Sequence, residues 1–235
     1  AAPLGAQTYT DLHTGLEFST YSTGATITGP GTCTQTELRI PATVTDRGRT
    51  YDVLAIESRA FYQCEQLTSV TLPQGLEFIG AVAFGYCPQL ARISLPEGLK
   101  TIDDYAFNSC KALTKIVLPE GLRSLGKQVF QGCSSLKSVT LPAGLESIGE
   151  MTFNACSSLS YIALPEGLLR IGEDAFTGCT GLREVYFPET LRTIETKAFS
   201  FCHSLSAFTL PASLDSIGTS AFYDCTALTE VTLPG

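Results

Sequence analysis

Nine cysteines, two histidines and several regularly spaced glutamates are the residues of this 235-residue chain whose chemistry could matter. Thiolates bind zinc or attack electrophiles, imidazoles move protons, and paired carboxylates hold cations or cleave glycosides. Eight of the cysteines, Cys64, Cys87, Cys110, Cys133, Cys156, Cys179, Cys202 and Cys225, recur every 23 residues. Zinc sites need close pairs such as C-x2-C, and the chain has none. If the 23-residue units stack, neighbouring cysteines come within disulfide reach, because paired strands lie roughly 4.8 Å apart. Yet each of these cysteines follows an apolar Phe and fits a small apolar slot, the setting of a free thiol packed as a hydrophobe. Eight reduced core thiols are therefore expected, and the role of Cys33, which lies outside the register, stays open.

Histidine offers little. His13 sits near the N-terminus and His203 follows Cys202, so a thiol–imidazole pair is conceivable there. However, Cys202 is the regular repeat cysteine, and its counterparts are followed by Glu65, Pro88, Ser134 or Thr180. A surface histidine on a loop is the expectation. Glu97 and Glu120 share one repeat position, as do Glu166 and Glu189, and stacking would bring each pair together. Calcium needs more oxygens than such stacked single carboxylates supply. Lys100, Arg123 and Arg192, each three residues after a glutamate, are placed to neutralise Glu97, Glu120 and Glu189. A solvated charged edge is expected. No G-x-S-x-G, phosphate loop, dinucleotide fingerprint or H-E-x-x-H occurs, so no catalytic residue and no cofactor is assigned and the chain is not read as an enzyme.

The elements that would position these residues follow from the repeat. Phe recurs at 61, 84, 107, 130, 153, 176, 199 and 222, without insertion. One unit reads L-x-x-I-x-x-x-A-F-x-x-C-x-x-L-x-x-V-x-L-P-x-G, and eight of them follow one another. A fixed period of this length marks a solenoid. In Leu67–Leu72, Val70 and Leu72 alternate with Ser69 and Thr71, the period of a half-buried strand, and Pro73 ends it. Gly75 is read as a turn with positive φ. Gly80 through Phe84 reads as a tight helical turn that points Ala83 and Phe84 inward. No unit can fold alone, because one coil buries too little apolar surface to offset its ordering, so stability is shared between neighbours. The expected fold class is an α/β but β-rich solenoid. It coils right-handedly, with a parallel sheet on a concave face and short helical or 3-10 turns opposite.

Residues 1–52 break the repeat. Leu16–Tyr21 and Ala25–Thr28 read as a hairpin around Ser22-Thr23-Gly24, and Glu37–Pro41 resembles a repeat strand. Arg49–Val53 leads into the first coil. The segment is read as a β cap over the first coil, and residues 53–235 as the array. The array ends directly after a strand without a second cap, so either truncation of a longer protein or a partner over that edge is expected.

Units such as Leu99–Pro119 resemble the BspA-like, or treponemal-class, leucine-rich repeats, and the resemblance covers all eight coils. Gly29–Thr34 with Leu38–Ala42 also resembles the leader that precedes such arrays. The resemblance implies an exported bacterial surface protein that mediates adhesion to host matrix or cell-surface proteins. It supplies no catalytic and no fixed binding residues. The lack of a C-terminal anchor departs from the pattern.

Composition agrees with a folded chain that has ample material for a core. Hydrophobic residues make up 44% and charged ones only 16%, with a net charge of −8. No basic run is present to neutralise phosphates, which argues against nucleic acid and anionic lipid. No apolar stretch reaches the roughly 20 residues of a membrane span. The chain starts Ala1-Ala2-Pro3 without Met, so a signal peptide already removed is expected.

Strand alternation names the face a partner would meet. Its outward pairs run from Ser69/Thr71 to Glu230/Thr232, and most are Ser, Thr or Ala. The exceptions cluster: Arg92 and Lys115 are adjacent basic residues, and Tyr161, Glu184 and Tyr186 are adjacent too. Aromatic and Arg residues are the usual interface anchors, so these five are the candidate ligand-binding residues. Strand propensity accounts for the two tyrosines equally well. A protein ligand is expected. A glycan stacked on Tyr161 and Tyr186, or a mere spacer that displays another domain, are the alternatives.

Overall fold

The computed structural model describes residues 8–11, 15–30 and 33–233; His13 lies outside them. Six strands precede the regular coils: β1 (Thr8–Thr10), β2 (Glu17–Tyr21), β3 (Gly24–Gly29), β4 (Glu37–Arg39), β5 (Thr43–Asp46) and β6 (Arg49–Ile56). Thereafter three-residue and two-residue strands alternate. The longer ones are β7 (Ser69–Thr71), β9 (Arg92–Ser94), β11 (Lys115–Val117), β13 (Ser138–Thr140), β15 (Tyr161–Ala163), β17 (Glu184–Tyr186), β19 (Ala207–Thr209) and β21 (Glu230–Thr232). The shorter ones are β8 (Phe78–Ile79), β10 (Thr101–Ile102), β12 (Ser124–Leu125), β14 (Ser147–Ile148), β16 (Arg170–Ile171), β18 (Thr193–Ile194) and β20 (Ser216–Ile217).

Each coil stacks on the next through parallel pairing offset by 23 residues, as in Lys115↔Ser138 and Thr101↔Ser124. The hairpin read from Leu16–Thr28 is β2–β3, paired antiparallel with Ser22-Thr23 at its turn. Its second strand continues the short-strand ladder by pairing parallel with β6, while β4 starts the long-strand ladder by pairing with β7. A second hairpin, β5–β6, was not legible in advance.

The core is a stack of like on like. The phenylalanine rings from Phe61 to Phe222 lie nearly parallel, with centroids 5.0 to 5.6 Å apart. Beside them runs the cysteine column, and it does more than fill space. Each thiol from Cys87 to Cys225 donates to the carbonyl of the Phe 26 residues earlier, at 3.1 to 3.3 Å. The small, apolar, weakly donating side chain is what this slot requires: it closes the packing and ties one coil to the one before.

The expected helical turns are absent: among the described residues every regular element is a strand. Spacing gives the reason. An α-helix is about 10 Å wide and could not stack at the roughly 5 Å pitch of the coils. The Gly80–Tyr86 stretch is instead a chain of turns in which the N–H groups alternate. Ala83 and Gly85 bond within the coil, to Gly80 and Val82. Val82, Phe84 and Tyr86 donate outward to Asp104, Ala106 and Asn108 of the next coil, at 2.7 to 2.9 Å. Positive φ at Val82 (59°) and Tyr86 (57°) prevents helix propagation and turns those groups outward. The same two positions repeat along the solenoid, for instance at Tyr105 and Ser109 and at Lys197 and Phe201.

Gly75, expected at positive φ, is not among the residues that adopt it. Closeness of approach makes glycine matter more at Gly80 and several of its counterparts, although Asp103 and Glu195 hold the same position in two coils. At the equivalent Gly126, a Cβ would lie 2.5 Å from the Asp104 backbone nitrogen. Gly126→Ala is therefore expected to destabilise by about 1–3 kcal/mol, the usual cost of forced overpacking. Gly144→Ala, with nothing within 4 Å of its Cβ, should fall well below that in the same urea titrations.

Candidate functional site

The alternation expected along the long strands is present. In β9, β11, β13, β15, β17 and β19 the central residue is buried and its two neighbours are exposed. Arg92, Lys115, Tyr161, Glu184 and Tyr186 therefore project from one face. Tyr161 and Tyr186 are brought together edge-on, with ring centroids 6.4 Å apart, and remain 48% and 66% exposed. Val117 is exposed on the same face.

That face is not one unbroken sheet. Its strands pair as β4–β7–β9, β11–β13, β15–β17 and β19–β21, which leaves seams between β9 and β11, β13 and β15, and β17 and β19. Arg92 and Lys115 stand on the two sides of the first seam, where like charges give no attraction across it. Two of the seams open into grooves. One, of about 470 Å³, is lined by Arg92 and Lys115 with Ser94, Leu95 and Val117. The other, of about 430 Å³, is lined by Glu184, Glu189 and Glu230 with Tyr186, Phe187 and Pro211. Glu230 had not stood out in the sequence; its signal was the column it shares with Glu184, two coils away.

Ion pairs lie elsewhere, at Glu77–Lys100, Glu150–Lys127 and Glu195–Arg170, and the His203 ring nitrogen lies 3.2 Å from Asp224. Lys100 thus reaches back one coil to Glu77 at 2.6 Å and does not neutralise Glu97. Arg192 donates to the Ser213 carbonyl, not to Glu189. These positions correct the expected pairing by three residues: turns hold such side chains beside the neighbouring coil, so contacts run across coils. Glu97, Glu120, Glu166 and Glu189 are exposed. His203 is an exposed loop residue 3.2 Å from Asp224, while the Cys202 thiol is buried against the Phe176 carbonyl. The two form no nucleophile–base pair.

The cysteine column holds one correction. Cys64, expected to be a reduced core thiol, is bonded to Cys33, whose role had been open; their Cα atoms are 5.4 Å apart. The other seven are free and buried. Burial pushes the Cys87, Cys133 and Cys179 thiols up to about 12, and raises Cys110, Cys156 and Cys202 well above the ordinary thiol value. Such thiols hold almost no thiolate at neutral pH and are poor nucleophiles. Among the described residues no group of three His, Cys, Asp or Glu side chains is placed to hold a metal ion. A thiol reagent should find no fast-reacting group in the native protein and seven thiols after denaturation. The disulfide spans 31 residues, and Cys33→Ser should lower stability by roughly 2–4 kcal/mol, read from urea unfolding.

No helix of the described residues is long and apolar enough to cross a membrane. Among curated proteins nothing matches the chain. Solved structures do. A leucine-rich cell surface protein from Faecalibacterium prausnitzii is 28% identical with a TM-score of 0.68, covering 98% of this chain and 77% of that one. The T. pallidum leucine-rich repeat protein is 27% identical with a TM-score of 0.63, covering 97% and 90%. A leucine-rich repeat protein from Bacteroides capillosus is 32% identical with a TM-score of 0.52, covering 57% and 96%. The model of the BspA type leucine-rich repeat region matches residues 54–168 and 146–235. With the stacked Phe and Cys columns and the 23-residue parallel register, this match places the chain in the BspA-type leucine-rich-repeat family.

Proposed function

We propose that this chain is a non-catalytic, exported interaction module that works at a cell surface and binds a protein through the face of its long strands. In this reading residues 1–52 cap the array of residues 53–235. The observation that carries it is the exposed Tyr161–Tyr186 pair, on the same face as two open grooves, one of which Tyr186 lines. Rigid aromatics with little rotamer freedom are efficient binding anchors. The likeness to a cell surface protein of F. prausnitzii supports the location. Adhesion to a host matrix or cell-surface protein is the role this fits best.

The test is an array of purified matrix proteins, cell-surface ectodomains and glycans, probed with the chain and with a Thr140→Arg/Ala163→Arg variant that blocks the face. Binding to at least one protein, weakened about tenfold or more by the variant, is expected. Capture by glycans alone would refute the protein-ligand reading. Protein binding indifferent to the variant would refute the choice of face.

A further inference from the structure

The grooves at the two seams differ in sign. Arg92 and Lys115 both line the first, and no carboxylate lines it. Glu184, Glu189 and Glu230 line the second, and no cation lines it. None of these five is engaged in an ion pair among the described residues. The seams lie four coils apart, which is about 19 Å at strand spacing. Tyr161 lies in the span between them, edge-on to Tyr186, which stands at the rim of the second.

This arrangement selects among classes of ligand. A nucleic acid or sulfated glycan is uniformly anionic and would meet the three glutamates. A neutral glycan leaves both groups of charges unused. A polypeptide can carry a carboxylate at one end and a cation at the other. Resting on the protein-binding reading above, we infer that the occupant is a single polypeptide segment running across the strands. It sets an acidic side chain between Arg92 and Lys115, an apolar or aromatic residue on the tyrosines, and a Lys or Arg among the glutamates. Opposed charges of this kind fix orientation and reject mis-registered partners. At about 3.3 Å per residue an extended segment crosses 19 Å in about six residues, so its two charges stand five to seven residues apart.

A display library of random dodecapeptides, panned on the intact chain, tests this. Enriched peptides should carry Asp or Glu at one end and Lys or Arg at the other, at that spacing. Arg92→Glu/Lys115→Glu should lower their affinity about tenfold or more and shift selection toward wholly basic peptides. Peptides blocked by Thr140→Arg/Ala163→Arg but lacking segregated charges, or insensitive to the charge reversal, would overturn the inference and leave the binding face standing. Enrichment unaffected by the blocking variant would overturn the face itself. A wild-type dimer in light scattering that the charge reversal dissociates, and that excludes peptide, would replace the peptide segment by a second copy of the chain.

Discussion

Raising the pH from about 8 to about 10 is expected to remove several kcal/mol of folding stability, a large part of the total for a typical domain. An unfolded thiol titrates near 9, whereas burial holds Cys87, Cys133 and Cys179 up to about 12 and Cys110, Cys156 and Cys202 well above their ordinary value. Between those values the unfolded chain binds fewer protons than the folded one. The thiols' contribution is thus complete below about 9 and falls as pH rises toward 12. Each thiol adds a slope of up to about 1.4 kcal/mol per pH unit. The geometry makes the cost unavoidable, since each Sγ is enclosed between coils and donates its proton to a Phe carbonyl, which a thiolate would repel. Urea midpoints measured without oxygen across this range should fall steeply. Cys133→Ala/Cys156→Ala, although less stable at neutral pH, should reduce the slope by about a third. A flat profile would mean that the column ionises without unfolding.

Phe130→Ala should cost about 3–5 kcal/mol, the range for deleting a fully buried ring. Phe130 is 0% exposed and stacks on Phe107 and Phe153 with centroids 5.6 Å away on each side. Neither neighbour can collapse into the gap, because its own position is fixed by the next ring in the stack. A solenoid adds a second consequence. Its cooperativity runs only between adjacent coils, so a weak middle coil divides the array into two units. Urea unfolding should broaden into two steps, and hydrogen exchange should accelerate first at the Phe107 and Phe130 amides, which bond to Val129 and Thr152. Phe222, partly exposed in the last coil, should cost clearly less when replaced by Ala. Equal losses at both positions, with one sharp transition, would contradict nearest-neighbour stability.

Much of this architecture was legible because the repeat is regular. The 23-residue spacing of Phe, Cys, Leu and Pro is enough to define the coil, and the alternation around Val70 and its counterparts is enough to define the face. What escaped the sequence had particular causes. The turns after Gly80 resemble a short helix because their apolar spacing suits one; only the pitch of the stacked rings, near 5 Å, rules it out. The Cys33–Cys64 bond was hidden because Cys33 lies off the register, so no period pairs it with anything. Residues that line the grooves come from different coils, and the seams that open them depend on how neighbouring strands pair, which a single strand's sequence does not express.

The long-strand face of this BspA-type solenoid is expected to bind through its tyrosine pair. The most direct measurement is calorimetric titration of a captured protein ligand against the wild-type chain and against Tyr161→Ala/Tyr186→Ala, with circular dichroism to confirm the fold. Both side chains are largely exposed, so their removal should leave the coils intact. A loss of affinity of about 30-fold or more is expected, the scale of an interface hot spot. Unchanged affinity in a folded double variant would contradict it.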